Sequence, residues 1–217
     1  MKAIPFPDVE HAVQVIAETA IANESYFSEL DGQCGDGDFG TSLATGFRVV
    51  QREWAALDRT SIGTFLGKVG VIITSNVGGC SGPLWGTAFL RASVVMRDKQ
   101  EMTVADLATI FHKAMEGMMA RGGAQLGDKT LLDALDPVAS LLDAEAAQAE
   151  PNPDLKLLHH ATETAQAVAE KSRSWTAKRG RQSFTGDRSS GTLDPGIVAV
   201  GVILKALSEA FEPASKK

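Results

Sequence analysis

The sequence predicts an all-α protein, and three observations support that prediction. Apolar residues recur at steps of three and four along most of the 217 residues, which is the spacing that places them on one face of a helix. Residues typical of helix starts, such as Ser61, Thr103 and the pair Asp194-Pro195, stand where these patterns begin. No segment shows a convincing alternation of polar and apolar residues, so we expect no β-sheet.

Eight helices are expected from these patterns. In chain order they begin at or near Asp8, Leu43, Ser61, Ser81, Thr103, Thr130, Pro153 and Pro195. We expect Asp8 to be the N-cap of the first helix, the sixth helix to end near Ala149 and the seventh to end near Lys178. Pro137 falls inside the sixth helix and should kink it or move its start.

Short connections join these helices, so we expect sequential helices to pack antiparallel. No linker or fixed-period repeat divides the sequence, and residues 1–217 are therefore predicted to form a single domain, an up-and-down bundle of eight antiparallel helices. In such a bundle alternate connections lie at the same end. The connections after the first, third, fifth and seventh helices are therefore expected to meet there.

The composition excludes several classes of function. Hydrophobic residues make up 44% and charged residues 22% of the chain, as in an ordinary globular protein. The net charge of -6 argues against a nucleic-acid groove and against docking on an anionic membrane, and no apolar run has the length of a membrane span. Two cysteines are too few for a disulfide scaffold, and the N-terminus lacks the apolar core of a signal peptide, so we expect a cytoplasmic protein.

The first of the four loops contains three aspartates within eight residues, Asp31, Asp36 and Asp38. The glycines between them allow the backbone to fold back, so that all three carboxylates can point at one centre. Converging carboxylates repel one another and need a cation, and hard oxygen ligands suit Mg²⁺ or Ca²⁺. The alternative is a solvated acidic turn, because Asp and Gly are ordinary turn residues.

Of the other three loops, the second and the fourth have features that suit a phosphate. Gly78 and Gly79 precede Ser81 at a helix start, where free N–H groups and the helix dipole favour an anion, although a tight turn would need the same glycines. The third loop spans residues 121–130. The fourth, residues 179–196, is long for an interhelical connection and carries arginines that can fork onto phosphate oxygens. Their expected convergence with the aspartates favours a nucleoside-phosphate–Mg²⁺ site.

These loops resemble those of the nucleotide-binding L subunit of dihydroxyacetone kinase, the DhaL family. The matching motifs run in family order and cover essentially the whole chain: residues 30–41, residues 79–89, Arg121-Gly122-Gly123-Ala124, Gly127-Asp128-Lys129-Thr130, Gly180-Arg181-x-Ser183 and Asp194-Pro195-Gly196. The resemblance implies an eight-helix antiparallel barrel with the nucleotide, ADP or ATP, at one end. It also implies a kinase subunit that is active only with a separate K subunit, which binds the sugar covalently through a histidine.

The resemblance also implies which residues form the site. Asp31, Asp36 and Asp38 match the aspartates that hold two Mg²⁺ ions, and we expect phosphoryl transfer to depend on them. Positions that match residues around the nucleotide are, in chain order, Phe39, Gly40, Thr41, Ser42, Gly79, Cys80, Ser81, Gly122, Leu131, Arg179, Asp194, Pro195 and Gly196. Phe39 stands where family members often carry histidine, so a histidine's role there is lost, or the ring packs against the nucleotide or the partner.

Several alternatives stay open. The phosphoryl group comes either from exchangeable ATP or from a phosphotransferase-system phosphoprotein that rephosphorylates bound ADP, and the acceptor is dihydroxyacetone or a related ketose such as erythrulose. The chain could also be a non-catalytic, nucleotide-loaded regulatory module, a kinase subunit for another acceptor, or the related domain of fatty-acid kinase. A homodimer is compatible with the sequence. The four histidines, all in predicted helices, are expected to be ordinary helix residues: His11, His112, His159 and His160.

Overall fold

The protein is built from α-helices, and the structure, a computed structural model, describes residues 2–79 and 81–213. Nine α-helices lie within that part of the chain: α1 (Phe6–Ala22), α2 (Glu24–Gly32), α3 (Phe39–Arg52), α4 (Ile62–Asn76), α5 (Ser81–Met96), α6 (Val104–Gly122), α7 (Leu131–Ala146), α8 (Leu155–Ser172) and α9 (Pro195–Phe211). Short 3-10 segments cover Trp54–Ala56 and Arg181–Ser189. The predicted all-α class is confirmed.

A small sheet departs from the prediction that the protein has none. Strand β1 (Ile4–Pro5) pairs antiparallel with strand β2 (Glu101–Met102), and Ile4 lies opposite Met102. Strands of two residues leave no room for an alternating pattern, which is why the sequence did not indicate them. The pair ties the N-terminal segment to the connection between α5 and α6.

The first predicted helix proved to be two helices, so the count of eight was wrong. Asp8 is not the N-cap, because the helix begins at Phe6 after an extended Pro5, and Asp8 lies in the first turn. The helix α1 ends at Ala22, and the backbone of the C-cap Asn23 leaves the helical region at φ -100° and ψ 14°. The Asn23 side-chain amide donates to the Thr19 carbonyl at 2.8 Å, which is the local bonding by which Asn competes with a continuing helix.

Local capping signals predicted several other helix starts correctly. Ser61, Thr103, Thr130 and Asp194 each accept a hydrogen bond from a backbone N–H in the first turn of the helix that follows. Thr103 and Thr130 each also complete a reciprocal capping box with an aspartate three residues later.

The ends of two helices differ from the prediction. The helix α7 contains Pro137 without being ended by it, and it stops at Ala146, three residues before the expected end. The helix α8 is shorter than predicted and ends at Ser172, so residues 173–178 belong to the loop that follows. That loop is correspondingly longer than the sequence indicated.

The helices pack against one another in chain order. Each of the helices from α3 to α9 contacts the next, α9 returns to contact α1, and both α1 and α2 pack on α3. The α4–α5 pair is antiparallel, since Gly63 lies against Arg97 and Gly86 lies against Thr74. The rings of Phe27, Phe47 and Phe65 are fully buried in the core between the helices. Among the described helices, none combines the length and apolar character that crossing a membrane requires.

Candidate functional site

Four interhelical loops meet at one end of the helices, as the alternation of connections predicts. The first loop (residues 33–38) joins α2 to α3, the second (77–80) joins α4 to α5, the third (123–130) joins α6 to α7, and the fourth (173–194) joins α8 to α9. Cys80, one of the predicted phosphate contacts, lies outside the described residues.

Direct contacts join the first loop to the fourth. Arg181 Nη1 lies 3.0 Å from Asp36 Oδ2, so an arginine of the fourth loop forms an ion pair with one of the three aspartates. The Cys34 thiol donates to the Arg188 carbonyl at 3.4 Å. These two contacts place the basic segment predicted to serve a phosphate directly over the acidic loop.

Further contacts bring the other loops to the same place. In the third loop, the Asp128 carbonyl accepts from the Lys178 N–H at 3.0 Å. On the second loop, a Cβ added to Gly78 would lie 3.4 Å from Ser42 Oγ, at the start of α3. A Cβ added to Gly122, the last residue of α6, would likewise lie 3.2 Å from Leu84 Cδ2 in α5. The loops therefore form a ring around one end of the molecule.

Three carboxylates converge in the first loop, and we call Asp31, Asp36 and Asp38 the acidic cluster. Each offers an oxygen, and these oxygens all lie within 4.8 Å of one another. Asp31 projects from the last turn of α2 and is buried, whereas Asp36 and Asp38 are exposed. Asp38 occupies the N-cap position of α3 without a side-chain capping bond. A Cβ on Gly35 would collide with Asp31 Oδ1, so only glycine permits this close approach.

The electrostatics of the cluster favour a bound cation. Burial raises the pKa of Asp31 above its usual value, and the carboxylates of Asp36 and Asp38 raise it further. The backbone N–H groups of Phe39, at 3.3 Å from Oδ2, and of Gly37 oppose that rise in pKa without cancelling it. A divalent cation among these oxygens would remove the repulsion, so the donor set fits Mg²⁺.

The Phe39 ring and the Phe39 backbone have different surroundings. The ring is buried, and its centroid lies 6.0 Å from that of Phe27 in the core. What Phe39 contributes to the acidic cluster is its backbone N–H, which donates to Asp31. Contact of the ring with a nucleotide or a partner stays a prediction.

The residues predicted to face a phosphate stand at two helix starts. Thr41 and Ser42 lie in the first turn of α3, and Ser81 is the first residue of α5, immediately after the second loop. The Thr41 N–H donates to Ser28 Oγ at 3.2 Å, and the Ser42 N–H donates to the Asp38 carbonyl at 2.8 Å. Because those amides already bond within the protein, a hydroxyl is the group suited to a ligand, and Ser42 offers it more readily than Thr41, whose hydroxyl bonds to the Glu24 carboxylate. Gly40 is buried where α3 crosses α2, close to the carbonyl of Glu24.

The other residues predicted to lie around the nucleotide come from α6, α7, α9 and the fourth loop. Gly196, in the first turn of α9, is so close to α7 that an added Cβ would lie 3.4 Å from Leu131 Cβ. Arg179 Nε lies 3.7 Å from Asp128 Oδ2 in the third loop. Its guanidinium also lies against Gly123, whose φ of 64° ends α6 in the left-handed conformation.

Asp194 and Pro195 open α9 at the same place. Asp194 Oδ1 accepts from the Ile197 N–H at 2.8 Å, and the buried Pro195 follows at the first helical position. Burial raises the pKa of Asp194 to about 7, although the capping N–H and the nearby Lys129 act in the opposite direction. The carboxyl group therefore carries a proton for part of the time near neutral pH.

Two buried polar residues at this end of the molecule were not predicted. Lys129 is fully buried and donates to three backbone carbonyls of the fourth loop. Gln182 is buried too, and its side-chain amide has no hydrogen-bond partner among the residues that the structure describes. Lys129 belongs to a motif that the sequence singled out, but its bonds run to residues 46 to 63 positions away, which no local pattern signals. The four histidines lie in α1, α6 and α8, as expected.

The family model of the DAK2 domain matches residues 33–209, which covers all four loops. Among curated proteins, the chain is 35% identical to the "PEP-dependent dihydroxyacetone kinase, ADP-binding subunit DhaL" of Escherichia coli, over 85% of this chain and 87% of that protein. It is 30% identical to the "PTS-dependent dihydroxyacetone kinase, ADP-binding subunit DhaL" of Lactococcus lactis, over 86% of this chain and 88% of that protein.

A solved structure shares the fold. The dihydroxyacetone kinase of C. freundii, in complex with AMP-PNP and Mg²⁺, superposes with a TM-score of 0.70 at 26% identity, over 96% of this chain. The present chain spans about a third of that kinase, 35% of its length.

Proposed function

Because the chain belongs to the DAK2 domain family, we propose that it is the nucleotide-binding subunit of a kinase for dihydroxyacetone or a related ketose. The observation that carries the proposal is the convergence of three carboxylates within 4.8 Å of one another, in and beside the first of the four loops that meet at this end of the molecule. The names of the relatives from E. coli and L. lactis, both ADP-binding subunits, support it.

The acidic cluster would hold Mg²⁺, and we expect two ions. Asp31, Asp36 and Asp38 present the hard oxygen donors that Mg²⁺ prefers, and the Mg²⁺ in the C. freundii complex supports this choice of metal. When bound, Mg²⁺ would neutralise the negative charge of the nucleotide phosphates. Arg181 pairs with Asp36, and the ions would balance the remaining negative charge of the cluster.

The nucleotide, ADP or ATP, would lie across the ring of loops. Its phosphates would contact Gly79, Cys80, Ser81 and the α3 start at Thr41 and Ser42, where hydroxyls and the N-terminus of α5 favour an anion. The rest of the nucleotide would lie among Gly122, Leu131 and the turn formed by Asp194, Pro195 and Gly196. Arg179 and Arg181 in the fourth loop would add charge-assisted hydrogen bonds to phosphate oxygens.

The reaction we propose is a direct phosphoryl transfer. The bond between the terminal phosphorus of ATP and its bridging oxygen breaks as a hydroxyl oxygen of the sugar bonds to that phosphorus, and the bridging oxygen stays with ADP, the leaving group. The hydroxyl proton passes to a base of the K subunit that holds the sugar. The contribution of this chain is positioning and the stabilisation of charge, through the acidic cluster and the two arginines.

The source of the phosphoryl group is a finer part of the proposal. We favour a phosphotransferase-system phosphoprotein that rephosphorylates bound ADP, because the relatives are named PEP-dependent and PTS-dependent. Bound ADP would then act as a resident cofactor. Exchangeable ATP is the alternative, and it predicts a nucleotide that leaves the site in every turnover.

Native mass spectrometry of the freshly purified chain, followed by a chase with ATP, tests the proposal. A mass increase equal to ADP with two Mg²⁺, retained through the chase, is the expected result. A site that exchanges freely with ATP would support the alternative donor. Absence of any nucleotide or Mg²⁺ binding, at any concentration of either, would refute the assignment of the site. Binding without turnover on addition of a K subunit would favour a regulatory module.

A further inference from the structure

Lys129 is buried to an extent that is rare for a lysine. None of its surface is exposed, and it stands between the third loop and the N-cap of α7. Its backbone has a φ of 63°, in the left-handed region that residues with a side chain seldom adopt. Such strain persists only where the surrounding structure fixes the residue firmly.

The Lys129 ammonium is fully hydrogen-bonded by the fourth loop. Its Nζ donates to the carbonyls of Trp175 at 3.0 Å, Ser189 at 2.7 Å and Thr192 at 2.9 Å. A lysine ammonium has three N–H donors, so all of them are used. One acceptor lies near the start of the fourth loop and two lie near its end, so a single cation joins both halves of the loop to the third loop.

The segment between these acceptors carries both arginines of the proposed site. Arg179 and Arg181 lie between residues 175 and 189, and each already contacts a carboxylate at the ring of loops. Ser189 supports the same arrangement, since its hydroxyl accepts from the Ala177 N–H at 2.9 Å and donates to the Gly186 carbonyl at 2.7 Å. The loop is therefore held on both sides of the arginines.

We propose that Lys129 is a positioning residue of the nucleotide site, which fixes the fourth loop so that Arg179 and Arg181 face the phosphates. The inference rests on the proposed function, and Lys129 itself would touch no nucleotide. A buried cation is costly, and a methionine would fill nearly the same volume without that cost. The charged bonds to three carbonyls are what methionine cannot supply, and they explain why a lysine is used there.

The full-length variant Lys129→Met tests the inference by two readouts. Limited trypsin digestion, with the fragments mapped by mass spectrometry, reports the order of the fourth loop without any nucleotide. Isothermal titration reports the affinity for ADP in the presence of Mg²⁺. We expect cleavage within residues 178–188 to accelerate at least about tenfold and ADP affinity to fall by about 10- to 100-fold, as when a group that orients a ligand-binding residue is lost.

Two control variants separate positioning from a general loss of stability. Thr103→Ala removes a capping box at the opposite end of α6, so it should lower the melting temperature without loosening the fourth loop. Lys113→Met removes an exposed lysine of α6 and should change neither readout. The inference would be overturned if Lys129→Met kept the wild-type rate of loop cleavage and the wild-type affinity for ADP. It would also be overturned if Thr103→Ala showed the faster cleavage and weaker ADP binding expected of Lys129→Met.

Further variants keep the inference testable if Lys129→Met does not fold. Ser189→Ala removes the neighbouring support and retains the charge, so it should show the same two changes at smaller size. Lys129→Arg keeps the charge but cannot present three donors from one atom, and it should lie between wild type and Lys129→Met. Wild-type values for both variants would again overturn the inference. If the wild type binds no ADP, the proposed function fails, while the cleavage comparison still decides whether Lys129 holds the loop.

Discussion

The acidic cluster and Lys129 are two charged groups at the same end of the molecule, and the protein treats them in opposite ways. Each Lys129 N–H has a carbonyl acceptor at 2.7–3.0 Å, so the protein itself satisfies this buried charge. The buried Asp31 instead faces two further carboxylates, which, with burial, raise its pKa, while the guanidinium of Arg181 contacts only Asp36.

This difference separates a structural charge from one prepared for a ligand. A saturated cation needs nothing further, and its removal leaves the carbonyls of Trp175 and Thr192 without a donor, while that of Ser189 keeps its bond from the Thr192 hydroxyl. Repulsion within a cluster of like charges lowers the stability of the ligand-free protein, and a bound cation removes that repulsion. Substitutions at the two places should therefore have opposite effects on the ligand-free protein.

Asp31→Asn should give the largest effect, and it tests whether the charge of Asp31 serves a metal ion rather than the stability of the protein. We expect affinity for ADP in the presence of Mg²⁺ to fall by about 100-fold or more, because a metal ligand is lost. The melting temperature of the ligand-free protein should rise, since a neutral amide removes both the repulsion and the burial of a charge. Titration calorimetry and thermal denaturation measure the two changes. Asp143→Asn, at an exposed aspartate of α7, serves as the control. An equal loss of ADP affinity in this control would contradict the role of Asp31 as a metal ligand.

Asp194 lies near both Lys129 and Asp133, and its protonation should make the stability of the protein depend on pH. Its folded-state pKa of about 7 exceeds the usual 3.8, so the folded protein binds a proton that the unfolded chain does not bind between those values. This contribution to stability therefore increases as pH falls from about 7 towards 4. Asp194→Asn keeps an N-cap and should remove the dependence. Melting temperatures of both proteins from pH 4 to 8 should converge at the acidic end, and parallel curves would show that Asp194 does not titrate there.

The two threonine capping boxes provide a smaller and closely matched test. Thr130 caps α7 at the ring of loops, beside Lys129, whereas Thr103 caps α6 at its opposite end. Replacing either by alanine should lower the free energy of unfolding by about 1 kcal/mol. Only Thr130→Ala should also weaken ADP binding, by several-fold, because Leu131 and Lys129 flank the cap. Equal ADP affinities in the two variants would mean that the cap and the site are not coupled.

Gln182→Met should change stability alone, and in the direction opposite to that of the two threonine variants. The Gln182 amide is buried without a partner in the described parts of the chain, and a methionine of similar length would not incur that cost. We expect the free energy of unfolding to rise by about 1 kcal/mol in denaturant titrations of the ligand-free protein. A decrease would show that the amide bonds in solution to a group such as an ordered water.

Features with local signals were predictable from the sequence. Ser61, Thr103, Thr130 and Asp194 were expected at helix starts, and all four cap helices there. The acidic cluster was also visible, because three aspartates separated by glycines lie within eight residues. The alternation of connections then placed all four loops at one end without any knowledge of side-chain contacts.

Features that depend on distant contacts were not predictable. The break at Asn23 gave nine helices where eight were expected, since a single Asn inside a helical pattern is a weak signal. The Phe39 ring packs on Phe27 in the core, and Lys129 bonds to carbonyls as far as 63 residues away. No nearby residue type indicates such partners, so the polar motif around Lys129 gave no sign that the side chain is buried.

Calorimetric titration of ADP into the wild-type chain, with and without Mg²⁺, is the most direct test of whether the acidic cluster is a metal site that supports nucleotide binding. We expect one ADP to bind per chain in the presence of Mg²⁺, with an affinity at least about 100-fold weaker when Mg²⁺ is chelated. In Asp31→Asn this dependence on Mg²⁺ should be lost. Binding of ADP with equal affinity in the presence and absence of Mg²⁺, or no binding in either condition, would contradict the assignment of the acidic cluster as the metal site.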